Sequence, residues 1–201
     1  MRDIESEIRA DLRDGTPVLI RQIRPEDKQH LEMGLRQLSP ESQHFRFFAA
    51  KDEFSEEELR FFTEVDHHDH DAWGALDLSR DPPAPIGIAR YVRHEPGGDT
   101  AEFAVTILDS HQKRGLGSLL LGVIAARAKD NGISRLHSVE LADNHPLFDV
   151  LAGLDTEKHF RGEGEEEVTV QVYADPAAYP ATQTGDAMRR AYALYEDACR
   201  R

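Results

Sequence analysis

Apolar residues recur along this chain with two periods, and the changes of period mark its elements. Residues 18–23 (VLIRQI) are rich in β-branched side chains and predict a first strand. The segment RPEDKQHLEMGLRQLS then carries helix-start signals. Pro25 suits a first helical position, and Glu26 and Asp27 suit the positive end of the helix dipole. Leu31, Leu35 and Leu38 follow at helical spacing. Ser39 ahead of Pro40 marks a second start, and Ser55 with Glu58 has the spacing of a capping box. Two or three helices therefore follow the first strand. Phe45, Phe47, Phe48, Phe61 and Phe62 on these helices are expected in the core, with part of the group bordering a groove.

From residue 72 the period drops to two. AWGALDL (72–78), IGIARYVR (86–93) and TAEFAVTIL (100–108) predict three strands, separated by the turns SRDPPAP and EPGGD. In the third strand Ala101, Phe103, Val105 and Ile107 share one face, and Glu102, Ala104 and Thr106 the other. A helix is expected to about Asp130, stopped by Asn131 and Gly132. SRLHSVEL predicts a strand, HPLFDVLAGL a short helix, and EVTVQVY (167–173) a final strand, with a weaker one near His159. The order β-α-α-β-β-β-α-β-α-β-β is a mixed α/β (α+β) arrangement with mostly antiparallel neighbours, unlike a doubly wound sheet.

Residues 1–15 read as a polar, partly helical lead-in, residues 16–173 as one domain, and residues 174–201 as a linker and a C-terminal helix. Met188, Ala191, Tyr192 and Tyr195 lie along one side of that helix. Packing on its own domain or on a second copy is expected, with docking to another protein as the alternative.

Composition narrows the partners. The chain has 201 residues, with 24 Lys and Arg against 38 Asp and Glu, a net charge of −14. Such a surface repels nucleic acid and anionic membranes, so an anionic ligand needs a local basic site. The single cysteine, Cys199, excludes an internal disulfide and a multi-cysteine metal cluster. The first residues carry acids throughout and have no apolar core, unlike a signal peptide. A soluble cytoplasmic protein, monomeric or homodimeric, is expected.

The candidate chemistry lies in HQKRGLGSLLL (111–121), between a predicted strand and a predicted helix. A helix start offers unpaired N–H groups and partial positive charge, and glycine lets a ligand approach the main chain. Gln112, Lys113, Arg114, Gly115, Leu116, Gly117 and Ser118 are thus candidates to cradle a pyrophosphate. A Walker A loop needs a Gly-Lys-Ser/Thr ending, which is absent. A dinucleotide fingerprint needs a third glycine where Leu120 stands. The pattern Q/R-x-x-G-x-G/A of acyl-CoA loops is met by Gln112, Gly115 and Gly117. A plain tight turn is the structural alternative.

On this loop and element order, the chain resembles the Gcn5-related N-acetyltransferases over about residues 16–173. IRQIRPEDKQHLEMGLRQLSPESQHFRFF, SEEELRFFTEVD and AEFAVTILDSHQKRGLGSLLL resemble bacterial Pat-type protein lysine acetyltransferases. The resemblance implies that fold, acetyl-CoA as co-substrate without a metal, and direct transfer to an amine in a ternary complex. It implies that the backbone of Val105, Thr106 and Ile107 pairs with the pantetheine arm, that residues 112–118 hold the pyrophosphate, and that Asn144 contacts the cofactor. It also implies Glu102 as the catalytic base. Chemistry independently demands such a group, because a lysine ammonium (pKa about 10.4) must lose a proton before it attacks. A protein lysine is the expected acceptor, an acyl-CoA synthetase being one possible target. A small amine, or CoA binding with little transfer, are the alternatives.

Two departures stand out. Asp155 and Thr156 replace the expected Gly-Phe, and the preceding helix has Phe148 but no tyrosine to protonate the leaving thiolate. DHHDHD (66–71) invites a metal, but a solvated polar loop lining the acceptor cleft is the expectation. The acidic EGEEE (163–167) is expected to be a solvated turn, with attraction of a basic protein segment as the alternative.

Overall fold

A computed structural model describes residues 7–201, so the first six residues of the expected lead-in lie outside the described residues. Eight strands form one sheet: β1 (Glu7–Asp11), β2 (Pro17–Gln22), β3 (His70–Asp77), β4 (Ala84–Val92), β5 (Thr100–Ile107), β6 (Arg135–Leu141), β7 (Thr156–Gly162) and β8 (Glu165–Gln171). Their order in the sheet is β1-β2-β3-β4-β5-β6-β8-β7. Every neighbouring pair is antiparallel except β5 and β6. The helices are α1 (Lys28–Gln37), α2 (Pro40–Phe47), α3 (Glu56–Thr63), α4 (Leu116–Asp130), α5 (His145–Leu151) and α6 (Gln183–Cys199). The mixed, mostly antiparallel sheet agrees with the expected fold class.

The expected caps organise α2 and α3. Ser39 Oγ accepts from the Ser42 N–H at 3.1 Å, and Ser55 and Glu58 close a reciprocal capping box. Pro25 instead opens a 3₁₀ turn (Pro25–Asp27), because Asp27 is held there. Arg21 donates to both of its oxygens at 2.7 Å, and the Arg24 N–H to one at 2.8 Å. α1 therefore starts after that turn.

The core lies between the sheet and α4. That helix is apolar around almost its whole circumference because it is covered twice, by the sheet and by α6. Gly122 lets α6 approach, since a Cβ there would lie 2.4 Å from the Ala191 Cβ. Met188, Ala191, Tyr192 and Tyr195 are buried, and the Tyr195 ring meets Trp73 edge-on at 6.0 Å. α1–α3 cover the opposite face, where Leu35, Leu38 and Leu108 form a smaller cluster with Phe47 and Phe54.

Three expectations need correction. Residues 7–11 are a strand rather than a partly helical lead-in, paired with β2 from Glu7↔Arg21 to Asp11↔Pro17. EIRAD alternates with a single strong hydrophobe, Ile8, so its charges mask an edge strand. α6 begins within the segment read as a linker, because Thr182 Oγ1 caps it by accepting from the Gly185 N–H at 3.1 Å. The phenylalanines are not all core: Phe45 and Phe48 border a groove, as expected of part of the group, and Phe61 is 52% exposed. The weak strand near His159 is β7, an edge whose charged side chains discourage further pairing.

The close contact at Gly122 gives a direct test of the α4–α6 packing. Gly122→Val is expected to lower the unfolding free energy by about 1–3 kcal/mol through overpacking, measured by urea titration. Wild-type stability would show that α6 does not pack at this distance.

Candidate active site

The parallel pairing of β5 with β6 is short. It joins Thr100↔Arg135, Ala101↔Leu136 and Glu102↔His137, and goes no further. Both strands continue, β5 to Ile107 beside β4 and β6 to Leu141 beside β8. They diverge beyond Glu102 and open a cleft of about 420 Å³. Alternate backbone groups of residues 103–107 on the β6 side thereby lose a strand partner and become available to an extended ligand.

The glycine loop closes one end of this cleft. Lys113 and Gly115 adopt left-handed backbone, at φ 61° and 88°. Gly115 caps α4 with no side chain bonded to its first turn, so the leading N–H groups of that helix face the loop. A Cβ on Gly117 would lie 2.7 Å from Val150 Cγ2, so this glycine also lets α5 close on α4. Gln112 Nε2 donates to the Ile107 carbonyl at 3.3 Å and to Ser42 Oγ at 3.4 Å, tying the loop to β5 and α2.

Of the residues expected to hold a cofactor, Val105, Thr106, Ile107, Gln112, Lys113, Gly115, Gly117, Ser118 and Asn144 line the cleft, together with Glu102. Arg114 and Leu116 do not. Arg114 pairs with Asp14 at 2.9 Å and donates to the Ser110 carbonyl at 2.5 Å. The Leu116 side chain lies in the core, leaving its backbone toward the loop. Asn144 caps α5, accepting from the Leu147 N–H at 3.3 Å and donating to Glu140 Oε2 at 2.7 Å. Neither Tyr173 nor Tyr179 lines the cleft. Tyr173 donates to Asp155 at 2.7 Å, and Tyr179 is buried against Tyr192.

Glu102 stands at the last paired position, with its side chain about half exposed and 3.1 Å from His94 Nε2. His94 was not foreseen, although it lies across the hairpin, two positions beyond the Val92 that pairs with Glu102. Two other wall residues were also missed. Arg13, from the turn after β1, lies where a Cβ on Gly115 would be 3.0 Å from its Nε, and adds positive charge beside Lys113. Glu140 is buried and accepts from Ser138 Oγ at 2.6 Å, and burial raises its pKa above the ordinary carboxyl value.

The run at 66–71 is in part the solvated loop expected, with Asp66 and His68 exposed, but it does not line the cleft and its end is buried. Asp66 Oδ1 accepts the N–H groups of His68, Asp69 and His70. Asp71 is fully buried and pairs with Arg127 at 2.6 Å, fastening the start of β3 to the last turn of α4. Among the described residues no group of three or more His, Cys, Asp or Glu side chains gathers as around a metal ion, and no helix is long and apolar enough to cross a membrane. His70 lies between Phe61 and Arg90, with ring centroids 4.8 Å apart and its Nε2 3.2 Å from Arg90 Nη1. Burial, then the Arg90 charge, pull its pKa down to about 4. Asp66 and Asp71 act in the opposite direction, and His67 adds to the lowering.

The chain is similar in sequence and fold to known proteins. The Acetyltransferase (GNAT) family model matches residues 35–151. The acetyltransferase PA5475 of Pseudomonas aeruginosa is 32% identical over 161 residues, which are 80% of this chain and 84% of that protein. The acetyltransferase Pat of Mycolicibacterium smegmatis is 31% identical over 144 residues, or 72% of this chain, but the match spans only 42% of that longer protein. The crystal structure of the GNAT domain of S. lividans PAT aligns with a TM-score of 0.74 at 31% identity, covering 82% of this chain and 96% of that domain.

The His70 environment predicts a pH dependence of stability. In the unfolded chain the imidazole takes up a proton near 6.5, whereas the folded chain resists until about 4. Between these values the unfolded state binds more protons, so this contribution is intact above 6.5 and is lost as the pH falls toward 4. In denaturant titrations across this window, His70→Gln is expected to flatten the slope seen in the wild type. An unchanged slope would contradict a neutral, half-buried His70.

Proposed function

Because the chain belongs to the acetyltransferase (GNAT) family, we propose that it carries an acetyl group from acetyl-CoA to the side-chain amine of protein lysines. The observation that carries this reading is the position of Glu102, at the mouth of the gap between β5 and β6 and on the wall of the cleft that the glycine loop closes. The names of two relatives, Pat and PAT, favour an acceptor of the kind Pat-type enzymes modify.

In this proposal the pyrophosphate lies at the start of α4, met by N–H groups of residues 115–118 and by Lys113 and Arg13. The pantetheine arm runs along β5 as an added strand and replaces the pairing that β6 gives up. The acceptor ammonium meets Glu102, which removes a proton directly or through one water. The freed amine attacks the thioester carbonyl carbon, and a backbone N–H of residues 105–107 steadies the developing oxyanion. Collapse breaks the C–S bond as the nitrogen sheds its second proton to a water, and the released CoA thiolate takes a proton back from that water. Among the described residues no tyrosine lines the cleft to supply it, and a thiol of pKa about 8.5 departs readily without one.

Glu102→Gln is expected to bind acetyl-CoA as the wild type does and to lower kcat by roughly 10²–10⁴-fold near neutral pH. Mass-spectrometric mapping of acetylated lysines with both proteins reads this out, and equal acetylation would remove Glu102 from the base role. Gly117→Asp adds a side chain against Val150 and a negative charge at the helix start. It is expected to abolish acetyl-CoA binding in calorimetry, and unchanged binding by a folded variant would refute the loop's role.

A further inference from the structure

Behind the cleft, between α1–α3 and the sheet, lies a second hollow of about 90 Å³. Its wall is largely apolar, with Leu35, Phe47, Phe54 and Phe62 on the helix side. Three guanidiniums line it: Arg21, which is paired with Asp27, Arg46 from α2 and Arg90 from β4. Arg46, Ala104 and Thr106 line this hollow and the cleft alike, so the two spaces adjoin.

Among the described residues neither Arg46 nor Arg90 has a carboxylate partner in contact. Arg90, only 6% exposed, donates to the Phe62 carbonyl at 3.4 Å and to His70 Nε2 at 3.2 Å, and lies 4.5 Å over the Phe62 ring. Arg46 makes no ion pair or side-chain hydrogen bond among the described residues, and its nearest ring, Phe47, is centred 5.3 Å away. It senses Glu140 and Glu102 only at longer range. The one acid on the wall of the hollow, Asp27, is occupied by Arg21 at 2.7 Å. Burial, then the charge of Arg46, pull Arg90 down to about 9, which leaves it cationic at neutral pH. Arg90 is buried and Arg46 half-buried on the wall shared with the cleft, and the two like charges disfavour each other, so a counter-anion there would be favoured.

We propose that this hollow is an anion subsite for the acceptor, taking a carboxylate carried by the molecule whose amine is acetylated. The sheet register supports the link to the chemistry. Arg90 pairs with Ala104 and Val92 with Glu102, so Arg90 and Glu102 are diagonal neighbours on one face, about 7–8 Å apart along the backbone. A carboxylate held by Arg46 and Arg90 thus anchors an acceptor whose amine lies a few bonds away, near Glu102. The small volume suits a carboxylate on a short apolar stem and excludes a nucleotide. The anion site stands on the two arginines alone; that its occupant is an acceptor rests on the transferase reading.

The test is an NMR titration of the full chain with propionate and, in parallel, propionamide. Saturable shifts at Ala104, Thr106 and Arg90 with propionate only, weakened at least tenfold in Arg46→Gln, are expected. Equal responses to both probes, or none, overturn the proposal, and the wild-type comparison decides it even if the variant does not fold. Turnover then identifies the source of the carboxylate. Free lysine against lysinamide tests a small acceptor, and a Lys-Glu peptide against its Lys-Gln counterpart tests a polypeptide. Preference for the acid in one pair, lost in Arg46→Gln, supports an acceptor role, and equal rates within both pairs overturn it. Acetyl-CoA titration of the same samples keeps a failure of the transferase reading distinct from a failure of the anion site.

Discussion

A parallel ladder of three residue pairs, ending at Glu102 and His137, governs this molecule. A parallel pair needs a crossover, and α4 supplies it, covered by the sheet on one side and α6 on the other. Past the ladder the strands part, and α5 closes on the first turn of α4 at Gly117. The gap therefore collects what the proposed acyl-transfer site would use: unpaired strand backbone, a helix start, and a carboxylate at the apex. Extending the pairing past Glu102 would fill the gap with ladder hydrogen bonds and remove the site.

Charge distribution sharpens this picture. In a chain of net charge −14, most buried or half-buried cations already have acids, as in Arg127 with Asp71 and Arg21 with Asp27. Those pairs hold elements together. Among the described residues, four cations on the walls of these spaces have no contacting acid: Arg13 and Lys113 near the loop, and Arg46 and Arg90 in the hollow behind.

Local signals in the sequence anticipated much of this. The caps at Ser39 and Ser55, the alternation through β5 and the Gly115–Gly117 spacing each follow from residues close in sequence, and each corresponds to an element of the structure. Interactions between distant segments were not readable. Strand β1 is hidden by its charges, and only pairing with β2 reveals it. Arg13 reaches the loop, and His94 reaches Glu102, through register that no local pattern states. Arg46 looked like one charge among aromatic residues, and Arg90 like an ordinary strand position, until the packing of α2 on the sheet put both in one hollow. The polar run at 66–71 misled in the other direction, since Asp71 is buried by a partner 56 residues away.

The central claim is that the gap between β5 and β6 receives the donor along β5 and at the start of α4. Backbone hydrogen exchange of the full chain, with and without acetyl-CoA, tests it most directly. The account predicts slowed exchange at residues 105–107 and 115–118 when acetyl-CoA is present, with the distant edge strand β7 unchanged. Tight acetyl-CoA binding with no protection at either segment would contradict it.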